Sequence, residues 1–365
     1  MADVSEVRRP VLEATYRALG AQFVEAGGCL LPERFSDVAE ECRAARTAAG
    51  VLDRTDRAYL TATGPDARRY LHAMVTNEVK ALEPGQGRYT LQLNAQGQIL
   101  ADLYLLAMED HLLLETDWAL KEKLRAVLEK YIIADDVELG DRSDQLAALS
   151  VEGPRSGELL RGAGAGTLPG EEFNHAWVKL GESPVLVVRL SETGEEGYRL
   201  IFTVEYAQSL WDALTAAQSK APWKPIGHAA FELLRTEAGL PRYGAELDER
   251  TLPPEAGLEA RAISYTKGCY LGQEIVERIR SRGHVNRKLV GLTLGAGPLP
   301  PRGAKLAKDG KDAGFLTTAI ESPTLGRRIA LGYLRREHLA PGTELEVEGG
   351  GAAEVVPLPF YSPQR

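Results

Sequence analysis

The stretch KGCYLGQE, residues 267–274, places one of the chain's three cysteines between two glycines and close to a lysine. The thiolate is the reactive form of cysteine, and it is favoured by a neighbouring cation and by backbone N–H groups at a turn. Lys267 and the glycines could supply both, so Cys269 is a candidate reactive thiol, with simple packing as the alternative. The motif comprises Lys267, Gly268, Cys269, Tyr270, Gly272, Gln273 and Glu274.

Three further positions combine charge with a defined local setting. Asp102 lies between Leu100 and Tyr104 in a predicted strand, and alternate strand residues share a face. Its carboxylate is therefore expected to point into an enclosed site, unless it faces solvent from an edge strand. Glu195 lies in the turn SETGEEGY, where acids are usually solvated, and Arg235 lies near the end of a predicted helix, where a cation complements the helix dipole.

A basic stretch follows the cysteine motif. Arg278, Arg280 and Arg282 recur at every second residue, so in a strand they would share one face. Together with Arg287 they form a possible anion-binding stripe, and a solvated connector is the alternative. An RNA- or protein-binding module that uses residues 278–288 is one functional hypothesis.

Composition narrows the class of protein. The chain has 365 residues, a hydrophobic fraction of 44% and a net charge of -9, which argues against a surface devoted to nucleic acid. It shows no complete phosphate-binding, serine-hydrolase or zinc-protease motif, and its six histidines are not grouped at metal-ligand spacing, so no metal site is predicted. Without a long apolar segment or a secretory signal, we expect a cytoplasmic protein that does not associate with membranes.

The elements that must position these residues occur in two related sets. LTATGPDARRYL at residues 60–71 returns in outline as LSVEGPRSGELL at residues 149–160, and each predicts a strand, a Gly-Pro turn and a helix. Two strands and another helix are predicted to follow each copy, with Asp117 as a cap of the first of these helices. The fold class is therefore α+β, with two related split-βαβ-like halves at about residues 50–135 and 140–245.

The pattern of residue types changes after residue 283. Short Val, Leu and Thr runs are separated by Gly and Pro, and KDGK at residues 308–311 predicts a hairpin turn. We expect residues 1–283 to form the body of the protein and residues 284–365 to form a small C-terminal β-barrel.

The ordered segments resemble the glycine-cleavage T protein and its relatives. The resemblance runs from LGAQFVEAGGCLLPERF through LNAQGQILADL, TGEEGY and LRTEAGLPRYGAELDERTLPPEAGL to KGCYLGQE. It implies a tetrahydrofolate-binding α+β assembly with a C-terminal barrel. Within that superfamily, K-G-C-Y-x-G-Q-E is typical of the YgfZ-like branch, and Arg282-Gly283 and Arg287 also fit its pattern.

The YgfZ-like resemblance implies a folate-binding protein that acts in iron-sulfur enzyme maturation or repair, with a possible effect on tRNA modification. Its implied partners are folate and iron-sulfur client or assembly proteins, and RNA is a further possible partner. The alternative is an aminomethyltransferase of the glycine cleavage system, a folate-dependent one-carbon transferase. T proteins often carry two acids where this chain has Ala101 and Asp102, which weakens that alternative.

The resemblance also assigns roles to residues. Asp102 matches an acid shared across the family, and it is expected to orient folate and take part in catalysis with Cys269. Glu195 matches an acid that binds the pterin ring in relatives, and Arg235 matches the arginine of L-R-x-E-A-G. T proteins often have a second arginine where this chain has Phe231, so the resemblance leaves open which arginine of this chain contacts folate. The basic stripe could receive a polyglutamylated folate tail.

Overall fold

The fold is described from a computed structural model, which covers residues 7–363, except for the side chain of Arg282. The helices are α1 Glu13–Ala18, α2 Val38–Thr47, α3 Ala67–Met74, α4 Lys121–Lys130, α5 Ser156–Gly162, α6 Ala207–Ala216, α7 His228–Glu237, α8 Glu259–Ala262 and α9 Gln273–Arg282. Short 3-10 turns occur at Trp118–Leu120, Val204–Tyr206, Ala217–Ser219 and Arg336–His338.

The strands of the body are β1 Gln22–Ala26, β2 Cys29–Arg34, β3 Gly50–Asp53, β4 Arg57–Thr63, β5 Gly87–Leu93, β6 Ile99–Ala107, β7 Leu112–Asp117, β8 Glu138–Asp141, β9 Leu146–Glu152, β10 His175–Leu180, β11 Ser183–Arg189, β12 Gly197–Thr203 and β13 Lys224–Ile226. Those near the C-terminus are β14 Arg287–Leu294, β15 Lys305–Lys308, β16 Lys311–Ser322, β17 Arg327–Arg335, β18 Glu344–Val347 and β19 Ala352–Val356.

The body contains two sheets of matching construction. One has the strand order β5-β6-β7-β4-β8, and the other has the order β10-β11-β12-β9-β3-β13. The sequence β4, α3, β5, β6, β7, α4 of the first half therefore corresponds to β9, α5, β10, β11, β12, α6 of the second. The outer strand beside β4 is β8, which follows α4 in the chain, whereas the strand beside β9 is β3, which comes before β4. The α+β class with two related halves is confirmed.

The predicted set of five elements in each half was one strand short. The missing strands are β7 in the first half and β10 in the second. The apolar run before Asp117 was given no element of its own, and in the structure it pairs with β4 and β6 as a central strand. Asp117 does cap the next turn, because its Oδ1 accepts the N–H of Ala119 at 2.9 Å.

The repeated Gly-Pro turns place the helices against their sheets. Gly64 and Gly153 both have positive φ, at 101° and 127°. A Cβ at Gly64 would lie 2.2 Å from the carbonyl oxygen of Asp136, and one at Gly153 would lie 2.5 Å from that of Ala45. Only glycine allows this conformation and this close approach of two backbones. The matching turns thus have a structural explanation.

Each sheet turns one face to its helices and the other toward the opposite sheet. On β6, Ala101, Leu103 and Leu105 pack among residues of α3 and α4. The alternate residue Tyr104 belongs to a cluster that also contains residues of the second sheet, such as Leu186 and Ile201. The inner faces of the two sheets therefore form a shared layer, and polar residues on these faces are enclosed between them.

The C-terminal strands close into a barrel in the order β14-β17-β16-β15-β18-β19. The expected barrel is confirmed, and KDGK forms the hairpin turn between β15 and β16, with Asp309 and Gly310 both at positive φ. The domain boundaries themselves stay predictions. Within the described residues, no helix is both long and apolar enough to cross a membrane.

Candidate functional site

A cavity in the body is lined by residues from both halves of the chain. The first sheet contributes Arg57, Tyr89, Asp102, Tyr104 and Asp117 to its lining. The rest of the chain contributes Arg54, Asp56, Glu192, Phe231, Arg235, Leu240, Pro241, Arg242, Tyr243 and Arg261. Charged and aromatic groups from distant parts of the sequence thus converge on one enclosed space, the usual form of a ligand site.

Asp102 points into this cavity from β6, on the same face as Tyr104, as the alternation of the strand predicts. The hydroxyl of Tyr89, on the neighbouring strand β5, donates to Asp102 Oδ2 at 3.0 Å. Burial raises the pKa of Asp102, and the positive charge of Arg57 opposes that shift. In the described part of the chain no cation lies within ion-pair distance of Asp102. The carboxylate is therefore enclosed and is oriented by Tyr89, and no cation pairs with its charge.

A chain of alternating charges lies beside Asp102 between the two sheets. Arg199 of β12 pairs with both Glu115 and Glu192. Arg57 donates from Nε to Glu115 Oε1 at 2.9 Å, and Arg54 joins Glu192 to Asp56. We call the six side chains Arg54, Asp56, Arg57, Glu115, Glu192 and Arg199 the charged chain.

Within the charged chain, each side chain has an oppositely charged partner. The side chains of Arg54, Arg199 and Glu115 are at most 2% exposed. Opposing arginines, Arg54 first, hold the pKa of Glu192 well below its usual range despite burial. Tyr104 donates to the other oxygen of Glu192 at 3.0 Å. A buried group of this kind depends on every partner being present.

Arg235 reaches the cavity but is firmly held by protein carboxylates. Its Nη2 donates to Glu232 Oε2 at 2.7 Å, and its Nη1 donates to Glu246 Oε2 at 3.0 Å. Glu246 in turn accepts from Thr318 of the barrel at 2.5 Å. The side chain of Arg235 therefore links α7 to the barrel as well as lining the cavity. Phe231, one turn earlier, fills the wall where T proteins often have arginine.

Glu195 lies apart from the residues that line the cavity. Its Oε1 accepts from Arg46 Nη1 at 2.7 Å, and the same guanidinium pairs with Glu237 at 2.7 Å. The ring of Tyr361 covers this guanidinium at 3.9 Å. Burial raises the pKa of Glu195, and Arg46 opposes the shift. Glu192, three residues earlier in the same turn, is the acid of this segment that lines the cavity.

The cysteine motif packs against the first half, outside the lining of the cavity. The ammonium group of Lys267 donates to the carbonyl oxygens of His72 and Val75 at 2.5 Å and of Asn77 at 3.0 Å. These carbonyls surround the C-terminal end of α3, so Lys267 caps that helix. The ring of Tyr270 lies in the core, 5.0 Å from the same ammonium group.

The rest of the motif forms the entry to α9. Gly272 has φ of 85° and lies against the turn at Asn94, which leaves no room for a Cβ. Gln273 begins α9, and Glu274 pairs with Arg278 at 2.6 Å. Cys269 is exposed, whereas Cys29 and Cys42 are buried. The structure therefore separates Asp102, inside the cavity, from Cys269, on the surface.

The basic stretch is a helix and does not form the predicted strand face. Arg278, Arg280 and the backbone of Arg282 belong to α9, in which residues two apart point in different directions. Arg280 lies over the ring of Tyr265 at 4.2 Å. Arg287 begins β14 and pairs with Glu255 at 3.0 Å. The side chain of Arg282 lies outside the described residues, so its part in anion binding stays a prediction.

Some cavity residues gave no sequence signal of their role. Arg57 and Tyr89 lie in strands, where the alternation of side chains indicates which residues face inward. Arg54 and Glu192, by contrast, are paired although 138 residues separate them in the sequence. Arg261 lies beyond the predicted helix of Arg235, yet its guanidinium stacks over Tyr89 at 5.0 Å. These partnerships arise only from the packing of the two sheets.

Comparisons with known proteins agree along the whole chain. Residues 12–267 match the GCVT N-terminal domain family, and residues 287–362 match the glycine cleavage T-protein C-terminal barrel domain family. The chain is 35% identical to an aminomethyltransferase of Streptomyces coelicolor, with 99% of each chain covered. It is 34% identical to one of Geobacillus kaustophilus, with 97% of this chain and 99% of the relative covered.

A solved structure shows the same arrangement. The crystal structure of glycine cleavage system aminomethyltransferase T from Bartonella henselae is 26% identical in sequence. The match covers 98% of this chain and 99% of the Bartonella henselae chain, with a TM-score of 0.88. The likeness therefore includes both the body and the barrel.

These relatives correct the main functional expectation. Iron-sulfur enzyme maturation, with its client proteins and its effect on tRNA modification, was inferred from the motif at residues 267–274. The curated relatives over the full length are instead named aminomethyltransferases, which contradicts that inference. They also give no support to an RNA partner. The likeness to aminomethyltransferases spans the chain, whereas the motif covers eight residues.

Proposed function

Because the chain belongs to the glycine cleavage T-protein family, we propose that it is an aminomethyltransferase. The reaction would transfer a one-carbon unit from an aminomethylated lipoyl arm to tetrahydrofolate and release ammonia. Asp102 carries the proposal, because its carboxylate is enclosed in the central cavity and is oriented by Tyr89. Ala101, at the position of the second acid in many T proteins, is buried among apolar residues, so it is Asp102 that faces the cavity.

The cavity suits tetrahydrofolate, the cofactor that this family membership implies. Its lining combines aromatic rings with a few convergent charged groups, as small-molecule sites usually do. A flat ring system can lie against Tyr89, Tyr104 and Phe231, while the carboxylate of Asp102 accepts ring N–H groups. Arg261 offers a guanidinium whose ion pair with Glu172 is 3.4 Å long, so it is available to a ligand carboxylate.

When bound, tetrahydrofolate supplies the nitrogen nucleophile that accepts the methylene group. The protein's part is positioning and proton handling. Asp102 Oδ2 is held by Tyr89, and its Oδ1 has no side-chain donor among residues 7–363. That oxygen can orient an N–H donor and exchange a proton with an amine. The two sheets enclose the site and limit access of water, which strengthens these interactions.

The test is ammonia release by purified protein. Incubation with aminomethylated lipoyl carrier and tetrahydrofolate should release ammonia, and omission of either should abolish the release. Folded protein that releases no ammonia with both components present would contradict the proposed function. Addition of a known active aminomethyltransferase to the same mixture is the control that the carrier and folate are competent.

We also infer that residues 267–274 carry the YgfZ-like signature on a transferase body. The support is the motif itself and the position of Cys269, which is exposed and outside the cavity lining. The signature then serves the structure, through Lys267 and Tyr270, and has no part in the transfer. If Cys269→Ser reduced ammonia release in a protein of unchanged stability, this inference would be wrong.

A further inference from the structure

The turn at residues 190–196 carries one acid into the central cavity, and a second, buried acid lies directly behind it. We call residues 190–196 the acidic turn. Glu192 lines the cavity, whereas the hydroxyl groups of its two chain neighbours, Ser191 and Thr193, donate to Glu152 at the end of β9. One carboxyl group therefore binds the residues on both sides of Glu192.

Glu152 is bound by hydroxyl groups and has no cation beside it. Its Oε2 accepts from Ser191 at 2.7 Å and from Thr193 at 2.8 Å. Its Oε1 is buried and has no hydrogen-bond partner among the described residues, and no cation lies within ion-pair distance there. An ionised carboxylate is unfavourable in such a place, whereas a neutral acid leaves no charge unbalanced.

The acidic turn is packed closely around Glu152. A Cβ at Gly197 would lie 2.6 Å from Glu152 Oε2, so a glycine at this position leaves room for the carboxyl group. On the opposite side, Gly194 has φ of 80°, and a Cβ there would lie 2.8 Å from the Cβ of Ala238, which follows α7. The turn therefore lies between Glu152 and α7, and Glu152 has little space to shift unless the turn moves with it.

Three charged groups face Glu152 or the turn that it binds. Glu192 lies on the same turn, Arg199 lies on β12, and Arg46 of α2 donates to the carbonyl oxygen of Thr193 at 3.3 Å. Burial raises the pKa of Glu152 to about 7, and the negative charge of Glu192 adds to the shift, whereas the two hydroxyl groups and Arg199 oppose it. Because Glu192 and Arg199 pair with each other, neither balances a charge on Glu152.

We propose that Glu152 is a positioning residue of the folate cavity, which fixes the acidic turn while it is neutral and releases the turn when it ionises. The proposal rests on the proposed function, in which tetrahydrofolate occupies the cavity that Glu192 lines. A charge on Glu152 is stabilised by water, and water reaches this buried carboxyl group only when the acidic turn moves. Movement of the turn displaces Glu192 from the cavity wall, so the fraction of protein that can bind the ligand falls.

The first test is calorimetric titration with tetrahydrofolate between pH 6.5 and pH 8.5. The affinity of wild type should fall about tenfold across this range, because tight binding requires the proton of Glu152, which is lost as the pH rises through about 7. Glu152→Gln cannot ionise, so its affinity should stay constant with pH. Glu196→Gln is the matched control on the same turn, with a side chain that is 38% exposed, and its profile should follow that of wild type. Parallel profiles for wild type and Glu152→Gln, or a wild-type affinity that does not change with pH, would overturn the proposal.

The hydroxyl contacts give a second test, which does not depend on the folding of Glu152→Gln. Thr193→Val keeps the shape of the side chain and removes one donor to Glu152, so the acidic turn is held less firmly even when Glu152 is neutral. Affinity for tetrahydrofolate at pH 6.5 should fall about fivefold, as expected for the loss of one hydrogen bond. Unchanged affinity of this variant would show that the contact does not position the turn, and would overturn the proposal.

Amide hydrogen exchange of the ligand-free protein tests the acidic turn itself. Peptides that cover residues 190–196 of wild type should lose protection relative to those of Glu152→Gln as the pH rises above 7, since the turn opens to hydrate the charged carboxylate. If ammonia release fails but the exchange and affinity profiles hold, only the proposed function is lost. If folded wild type does not bind tetrahydrofolate, or the turn exchanges alike in both proteins at every pH, the proposal is overturned.

Discussion

The carboxylates around the central cavity form two sets that differ in how their charge is balanced. Glu115 and Glu192 are balanced by arginines of the charged chain, whereas Asp102 and Asp117 have no cation partner in the described residues. Both sets are enclosed by the same two sheets. The difference suggests that the balanced set holds the sheets together and that the unbalanced set is available to ligands.

The largest expected effect concerns activity. Asp102→Asn should lower kcat/KM for ammonia release about 10²- to 10⁴-fold, since a positioned acid-base group is lost. Stability should change little, because no ion pair is broken. Asp110→Asn is the control, because the side chain of Asp110 is 87% exposed. A rate near that of wild type would place Asp102 with the structural carboxylates.

The charged chain should show the opposite behaviour. Arg199→Met leaves Glu115 and Glu192 short of a partner in a buried setting, which should lower the free energy of unfolding by about 3–5 kcal/mol. Arg189→Met, on the adjacent strand, breaks a more exposed pair with Glu196 and should cost about 1 kcal/mol or less. Urea unfolding of both variants checks this. Equal losses would mean that the charged chain is not a structural element.

Glu152 is a buried carboxylate of a third kind, because hydroxyl groups hold it in place of a cation. Its Oε2 accepts from the hydroxyls of Ser191 at 2.7 Å and Thr193 at 2.8 Å, and burial raises its pKa from 4.5 to about 7. The folded state therefore holds this proton more tightly than the unfolded state. The stability that it contributes is complete below pH 4.5 and is lost as the pH rises through 7.

Comparison of wild type with Glu152→Gln isolates this group. Between pH 4.5 and 8, the free energy of unfolding of wild type should fall relative to that of the variant by up to about 3 kcal/mol. Urea unfolding across the pH range is the measurement. Parallel curves for the two proteins would show that Glu152 titrates normally.

The smallest effects are expected at the cysteines. Burial raises the pKa of Cys29 and of Cys42 to about 12, whereas Cys269 is exposed. Iodoacetamide at pH 8 should therefore label Cys269 alone in folded protein and all three thiols in urea. Cys269→Ser should change stability by less than about 0.5 kcal/mol, as surface substitutions usually do. Labelling of Cys42 in folded protein would contradict the burial pattern.

The sequence predicted those features that depend on local periodicity. Asp102 was placed correctly because alternation with Leu100 and Tyr104 is a property of one strand, and the barrel was predicted from its turns. The arginines at 278 and 280 were misassigned because spacing alone does not distinguish a strand from an exposed helix. The pairing of Arg54 with Glu192 depends on how two separate halves pack, which no local pattern contains.

The most direct test of the account is a calorimetric titration with tetrahydrofolate. Wild type and Asp110→Asn should bind with the same affinity, and Asp102→Asn should bind more weakly, because the carboxylate that faces the cavity is lost. Circular dichroism of each protein confirms that it is folded. Equal affinity of Asp102→Asn and wild type, or no binding by folded wild type, would contradict the claim that this cavity is the folate site.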